Sequence, residues 1–169
     1  MIEISGKAVV LGDHINTDVI APGRWKLEGM EVLKAHCLEA VVPDFGERIS
    51  PGDVLVAGED FGCGSHREQA VTVLWALGIR GILADSVSRL YYRNCIALGM
   101  PILAIPGISS MVKAGDRLQV KLDEGEIAVV NQTTGKTKTA PPLPKDMLTI
   151  LEDGGILLSL KKEMKSINC

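Results

Sequence analysis

Asp53-Val54-Leu55-Val56-Ala57-Gly58-Glu59-Asp60-Phe61-Gly62-Cys63-Gly64-Ser65-His66-Arg67-Glu68-Gln69-Ala70 joins a short apolar run to a segment where Ala70, Val73, Leu74 and Leu77 recur at helical spacing. The stretch reads as buried strand, glycine-rich loop and helix, with Ser65, His66 and Arg67 delivered to the junction. Free N–H groups in the first turn of a helix, and the positive end of its dipole, attract carboxylate or phosphate. Gly62 and Gly64 let backbone approach a ligand, and the Arg67 fork suits a carboxylate. The run lacks the Gly-Lys-Ser/Thr ending of a P-loop and the glycine spacing of a dinucleotide site. Ser65 and Glu68 also fit a capping box, which leaves a purely structural alternative open.

Outward from this junction, Arg80 to Ala84 reads as a second buried strand, Val87 to Leu98 as a helix and Pro101 to Ile105 as a third strand. Strand and helix alternating in this way predict parallel pairing through right-handed crossovers. Upstream, Lys7 to Leu11 is expected to be a strand, Asp13 to Pro22 a polar loop, Met30 to Leu38 a helix and Pro43 to Gly52 a loop. Downstream, Arg117 to Leu122 and Glu126 to Asn131 alternate as hairpin strands do, with Lys136 to Thr139 as an edge strand. Pro144 to Glu152 and Ile156 to Lys162 read as helices split by Gly154-Gly155. With no repeat or long linker, one mixed α/β domain spanning 1–169 is the economical expectation.

The 18.1 kDa chain has 46% hydrophobic but only 4% aromatic residues, enough for an aliphatic core. A net charge of -3 gives no electrostatic case for nucleic acid or an anionic membrane. Its apolar runs fall far short of the roughly 20 residues of a membrane helix, and no signal peptide is visible. Cys37, Cys63, Cys95 and Cys169 show no metal-ligand spacing, and His14, His36 and His66 are unclustered. They read as thiols of a cytoplasmic protein, and no metal site is expected within the chain.

Three ordered segments resemble one family. Gly58 to Ala70 is similar to the loop Gly-x-Asn-Phe-Gly-x-Gly-Ser-Ser-Arg-Glu-His-Ala of the small subunits of isopropylmalate isomerase and homoaconitase, which correspond to the swivelling domain of aconitase. Asp60, His66 and Gln69 depart from that pattern. Gly12-Asp13-His14-Ile15-Asn16-Thr17-Asp18-Val19-Ile20-Ala21-Pro22 resembles the family's early Thr-Asp-x-Ile segment. Ser86 to Pro101 resembles its Ser-Phe-Ala-Arg-Ile-Phe-x-Arg-Asn-Ala-Ile-Asn-x-Gly-Leu-Pro. The resemblance implies the swivelling β/β/α fold, a mixed and partly parallel sheet flanked by helices. It also implies a hydro-lyase subunit that needs a large-subunit partner carrying a 4Fe-4S cluster, in a heterodimer or heterotetramer.

The chemistry so implied is dehydration of a small hydroxy di- or tricarboxylate, and rehydration with the hydroxyl on the neighbouring carbon. Ser65 matches the serine whose alkoxide takes and returns the proton, Arg67 an arginine that binds substrate carboxylate, and Asp18 an aspartate of the supporting network. Gly64 lets the backbone approach the substrate, and His66, in place of a second serine, faces the same carboxylate or turns out to solvent. Specificity is expected in the loop after Pro22, where Leu27 stands at the position that separates isopropylmalate enzymes from homoaconitases. Apolar Leu27 favours a branched alkyl group, whereas neighbouring Arg24 and Lys26 suit a distal carboxylate. The leading expectation is 3-isopropylmalate isomerisation in leucine biosynthesis. Homoaconitate and dimethylmaleate-type hydration are the alternatives within the chemistry, and a non-catalytic carboxylate-binding domain is the alternative outside it.

Overall fold

A computed structural model describes residues 1–167, so Cys169 lies outside the described residues. The elements run β1 (Ile2–Val10), α1 (Thr17–Ile20), α2 (Met30–Ala35), α3 (Phe45–Arg48), β2 (Val54–Ala57), α4 (Gln69–Leu77), β3 (Gly81–Ala84) and α5 (Arg89–Ala97). They continue with β4 (Ile102–Ala104), α6 (Ile108–Met111), β5 (Arg117–Leu122), β6 (Ile127–Asn131), β7 (Thr137–Ala140), α7 (Lys145–Glu152) and α8 (Ile156–Ile167). The strands form one sheet in the order β4-β3-β2-β1-β5-β6-β7.

The sheet has two halves of different grammar. Strands β1 to β4 pair in parallel, with α4 and α5 as the crossovers between β2, β3 and β4. Every residue of β2 and β3 is buried, which is why both read as unbroken apolar runs. The other half is antiparallel, and β5 alternates buried Leu118, Val120 and Leu122 with more open neighbours, as a one-sided strand must. Leu55, Leu74 and Ile82 are fully enclosed between sheet and helices; truncating any of them to alanine costs on the order of 2–5 kcal/mol.

Strand β1 joins the halves. Ile2 to Lys7 pair antiparallel with β5, while Ala8 to Val10 pair parallel with β2. It begins five positions before the predicted start at Lys7, because Glu3, Ser5 and Gly6 dilute the apolar signal where one face is open. Two further differences are short helices inside segments expected to be loops, α1 within Asp13 to Pro22 and α3 within Pro43 to Gly52, and α6 after Pro106 lies where no element was expected. A single turn is too short to display a 3.6-residue period. No helix among the described residues is long and apolar enough to cross a membrane.

Candidate active site

The glycine loop leaves the carboxyl end of β2, where open parallel sheets place ligands. Its inner edge is anchored first. Phe61 is fully buried, meets the Tyr91 ring edge-on at 5.5 Å, and bridges to Val87. Tyr91, on α5, donates its hydroxyl proton to the Ala70 carbonyl over 2.8 Å, and burial holds that phenol well above its ordinary range. Gly62 has φ 76, and a Cβ there would fall 2.3 Å from the Tyr91 ring. Gly64 has φ 102, with a Cβ only 2.5 Å from the Asn16 amide oxygen. A side chain at either position would collide with a neighbour and strain the backbone.

The second loop lies alongside. The Gly62 N–H donates to the Ile15 carbonyl, and the Thr17 N–H to the Cys63 carbonyl, each at 2.8 Å. This short parallel bridge, centred on Asn16 and Cys63, aligns the two loops. Asn16 caps α1 by accepting the Asp18 N–H at 2.8 Å. Buried Thr17 donates its hydroxyl to the Ser65 carbonyl at 3.0 Å, and so fixes the backbone from which the Ser65 side chain projects. Asp18, the next residue, forms an ion pair with Arg67, whose Nη1 also donates to the Ala21 carbonyl at 3.3 Å. Gly23 borders the same guanidinium, since a Cβ there would lie 3.4 Å from Arg67 Nη1. Two of the five donors of Arg67 are thereby engaged.

Asp18, Arg67 and the Ser65 backbone are thus brought together by direct contacts. Gly64, Ser65 and His66 are exposed on the loop. The capping-box alternative fails, because α4 starts at Gln69 and Glu68, not Ser65, precedes it without a side-chain cap. Anion attraction by the first turn of α4 therefore acts four residues beyond Ser65 rather than at it. Across the rim, His14 and Asp60 face each other at 3.6 Å, and both adopt left-handed backbone, φ 53 and 54. Burial, with Asp60 adding its charge, pushes the Cys63 thiol up; protonated, it is a poor nucleophile and a poor ligand.

The loop after Pro22 forms a 3₁₀ turn, Gly23–Trp25, with Leu27 87% exposed and Lys26 also in solvent. Arg24 does not face Arg67. Its Nη2 donates to Glu39 Oε1 at 2.8 Å, and its guanidinium carbon lies 4.9 Å from the centre of the Trp25 ring. The Trp25 ring stacks on His36 at 4.1 Å, and His36 Nδ1 lies 2.6 Å from Glu39 Oε2. Hydrogen bonds from His36 and then Arg24 hold the Glu39 carboxyl below its ordinary range. Sequence reading missed Glu39, His36 and Thr17. Thr17 stood beside Asp18 in a recognised segment, whereas nothing in the spacing joins Glu39 to Arg24.

Among the described residues, no group of three or more His, Cys, Asp and Glu side chains stands close enough to hold a metal ion. Cys37 and Cys95 are buried in the core, where desolvation raises both thiols far above their usual range. The residues present do not fit a cluster.

Known proteins resemble the chain over most of its length. The profile of the aconitase C-terminal domain matches residues 31–106, which include the glycine loop and α5. The chain is 43% identical to 3-isopropylmalate dehydratase small subunit 1 of Methanopyrus kandleri, over 95% of this chain and 94% of the relative. It is 41% identical to the isopropylmalate/citramalate isomerase small subunit of Methanocaldococcus jannaschii, over 95% of each. The crystal structure of 3-isopropylmalate dehydratase from Methanocaldococcus jannaschii superposes with a TM-score of 0.87 at 35% identity, covering 99% of this chain and 100% of that one. Fold and paired loops define the swivelling domain of the aconitase class. Within it, the chain belongs to the family of 3-isopropylmalate dehydratase small subunits.

Proposed function

We propose that the chain, acting as one swivel domain over 1–169, forms with a cluster-bearing large subunit a cytoplasmic hydro-lyase that interconverts 2- and 3-isopropylmalate in leucine biosynthesis. The observation that carries this reading is the docking of the Thr17-Asp18 turn on the glycine loop, which assembles a carboxylate-binding guanidinium beside an exposed serine. Arg67, steadied by Asp18 and the Ala21 carbonyl, binds one substrate carboxylate through its remaining N–H groups. Ser65, as its alkoxide, takes the proton next to that carboxylate to become the hydroxyl, and returns it on rehydration. Gly64 lets the glycine loop close on Asn16, which holds Ser65 in place, and His66 borders the same carboxylate. A 4Fe-4S cluster held by the large subunit would supply the Lewis acidity needed for departure of hydroxide.

The loop from Gly23 to Gly29 supplies the alkyl-facing wall, with Leu27 on the substituent and Lys26 and Arg24 beside it. Engagement of Arg24 by Glu39 favours isopropylmalate over a homologue with a distal carboxylate. The Methanocaldococcus jannaschii relative is named for citramalate as well, and an apolar Leu27 contact accommodates a methyl group too, so citramalate is the second substrate to assay.

The test compares the isolated chain with the chain co-produced anaerobically with its large subunit. Isopropylmalate turnover and a cluster absorption band are expected only in the complex. Stoichiometric cluster uptake or turnover by the pure chain would overturn the division of labour.

A further inference from the structure

We infer that Glu39 is a positioning residue for substrate choice: it holds Arg24 away from the site, so that of the two cations in the loop after Pro22 only Lys26 stays beside Leu27. This rests on the isopropylmalate reading above and assigns the control of specificity to a residue outside the loop itself.

The geometry is specific. Gly23 abuts the Arg67 guanidinium, so the backbone of Arg24 begins one residue from the carboxylate-binding group. The Arg24 side chain is thereby rooted beside the group proposed to hold the substrate. Its guanidinium lies instead on Glu39 Oε1 at 2.8 Å. Glu39 does not find that position by chance, because His36 takes its other oxygen at 2.6 Å and Trp25 stacks on the His36 ring. Glu39 thus sits between two cation-capable partners and stays ionised, pulled down by both. A surface ion pair adds little to stability, but it determines where a charge points. With Arg24 paired, a distal carboxylate loses one of the loop's two cations, while an alkyl group meets Leu27 with only Lys26 as a competing charge.

The experiment uses the assembled, cluster-loaded complex and two substrates: 3-isopropylmalate, and a homologue with a carboxylate in place of the branched alkyl end. Glu39→Gln keeps the shape and removes the charge. Its kcat/KM for the distal carboxylate is expected to rise about tenfold relative to isopropylmalate, through KM rather than kcat. Adding Arg24→Ala should abolish the gain, since the effect runs through that guanidinium. A purely structural role for Glu39 would lower both substrates together and would not respond to Arg24. An unchanged preference in Glu39→Gln, or a gain that survives Arg24→Ala, overturns the inference while wild-type isopropylmalate turnover leaves the functional reading standing. Wild-type preference for the distal carboxylate would overturn both.

Discussion

Ser65 projects from a backbone that the Thr17 hydroxyl already fixes through the Ser65 carbonyl, so replacing its side chain removes one oxygen and leaves the positioning bond intact. In the complex, Ser65→Ala should therefore lower kcat by about a hundredfold or more, the scale of losing a catalytic acid/base. KM should move far less, because Arg67 keeps its contacts with Asp18 and Ala21. The melting temperature of the chain should hardly change, as for other exposed positions without a packing role. Steady-state kinetics at matched cluster content, with thermal melts beside them, check all three. Near-normal turnover would reduce Ser65 to a loop residue.

At the scale of elements, the loop from Gly23 to Gly29 and the end of the glycine loop at His66 compete as determinants of substrate choice. Leu27→Arg exchanges apolar contact for charge and should depress kcat/KM for isopropylmalate while improving a substrate with a distal carboxylate. His66→Ser should leave that preference nearly unchanged; specificity constants for both substrates decide, and a reversal of the two effects would favour another small dicarboxylate. Elements differed greatly in how readable they were. Strands β2 and β3 announced themselves because both faces are buried and every residue is apolar, and α4 because its enclosed residues recur at helical spacing. The single turns α1, α3 and α6 carry no period to detect. The two segments that carry Asp18 and, on the glycine loop, Ser65 and Arg67 could be picked out in the sequence, and the structure sets them side by side. Glu39 could not, because its tie to Arg24 spans a turn and a helix and depends on His36 and Trp25 packing that no local pattern encodes.

Across the whole molecule, several carboxylates bind their protons more weakly than in an unfolded chain. Lys113 N–H and the Asn131 amide hold the Asp116 carboxyl low. Burial opposes ionisation of Asp85, but the Ser109 hydroxyl and N–H outweigh it and leave the group lowered. A depressed folded pKa means that the stabilisation is complete above the unfolded value of about 4 and is lost as pH falls through the folded one. The urea midpoint should thus stay level from pH 7 down to about 5 and fall below about 4, with Asp116→Asn showing a shallower fall. Loss beginning well above pH 5 would assign acid sensitivity to other groups. The position of β1 has a consequence in time. Ile2 pairs with Leu122, and the register runs to Lys7 with Arg117, so β1 waits for a partner made roughly ten seconds later at ordinary elongation rates. Loop closure of that length makes folding slow relative to helical proteins. A chain released before Arg117 would keep an unpaired strand edge in the middle of its sheet, the kind of edge that recruits other chains.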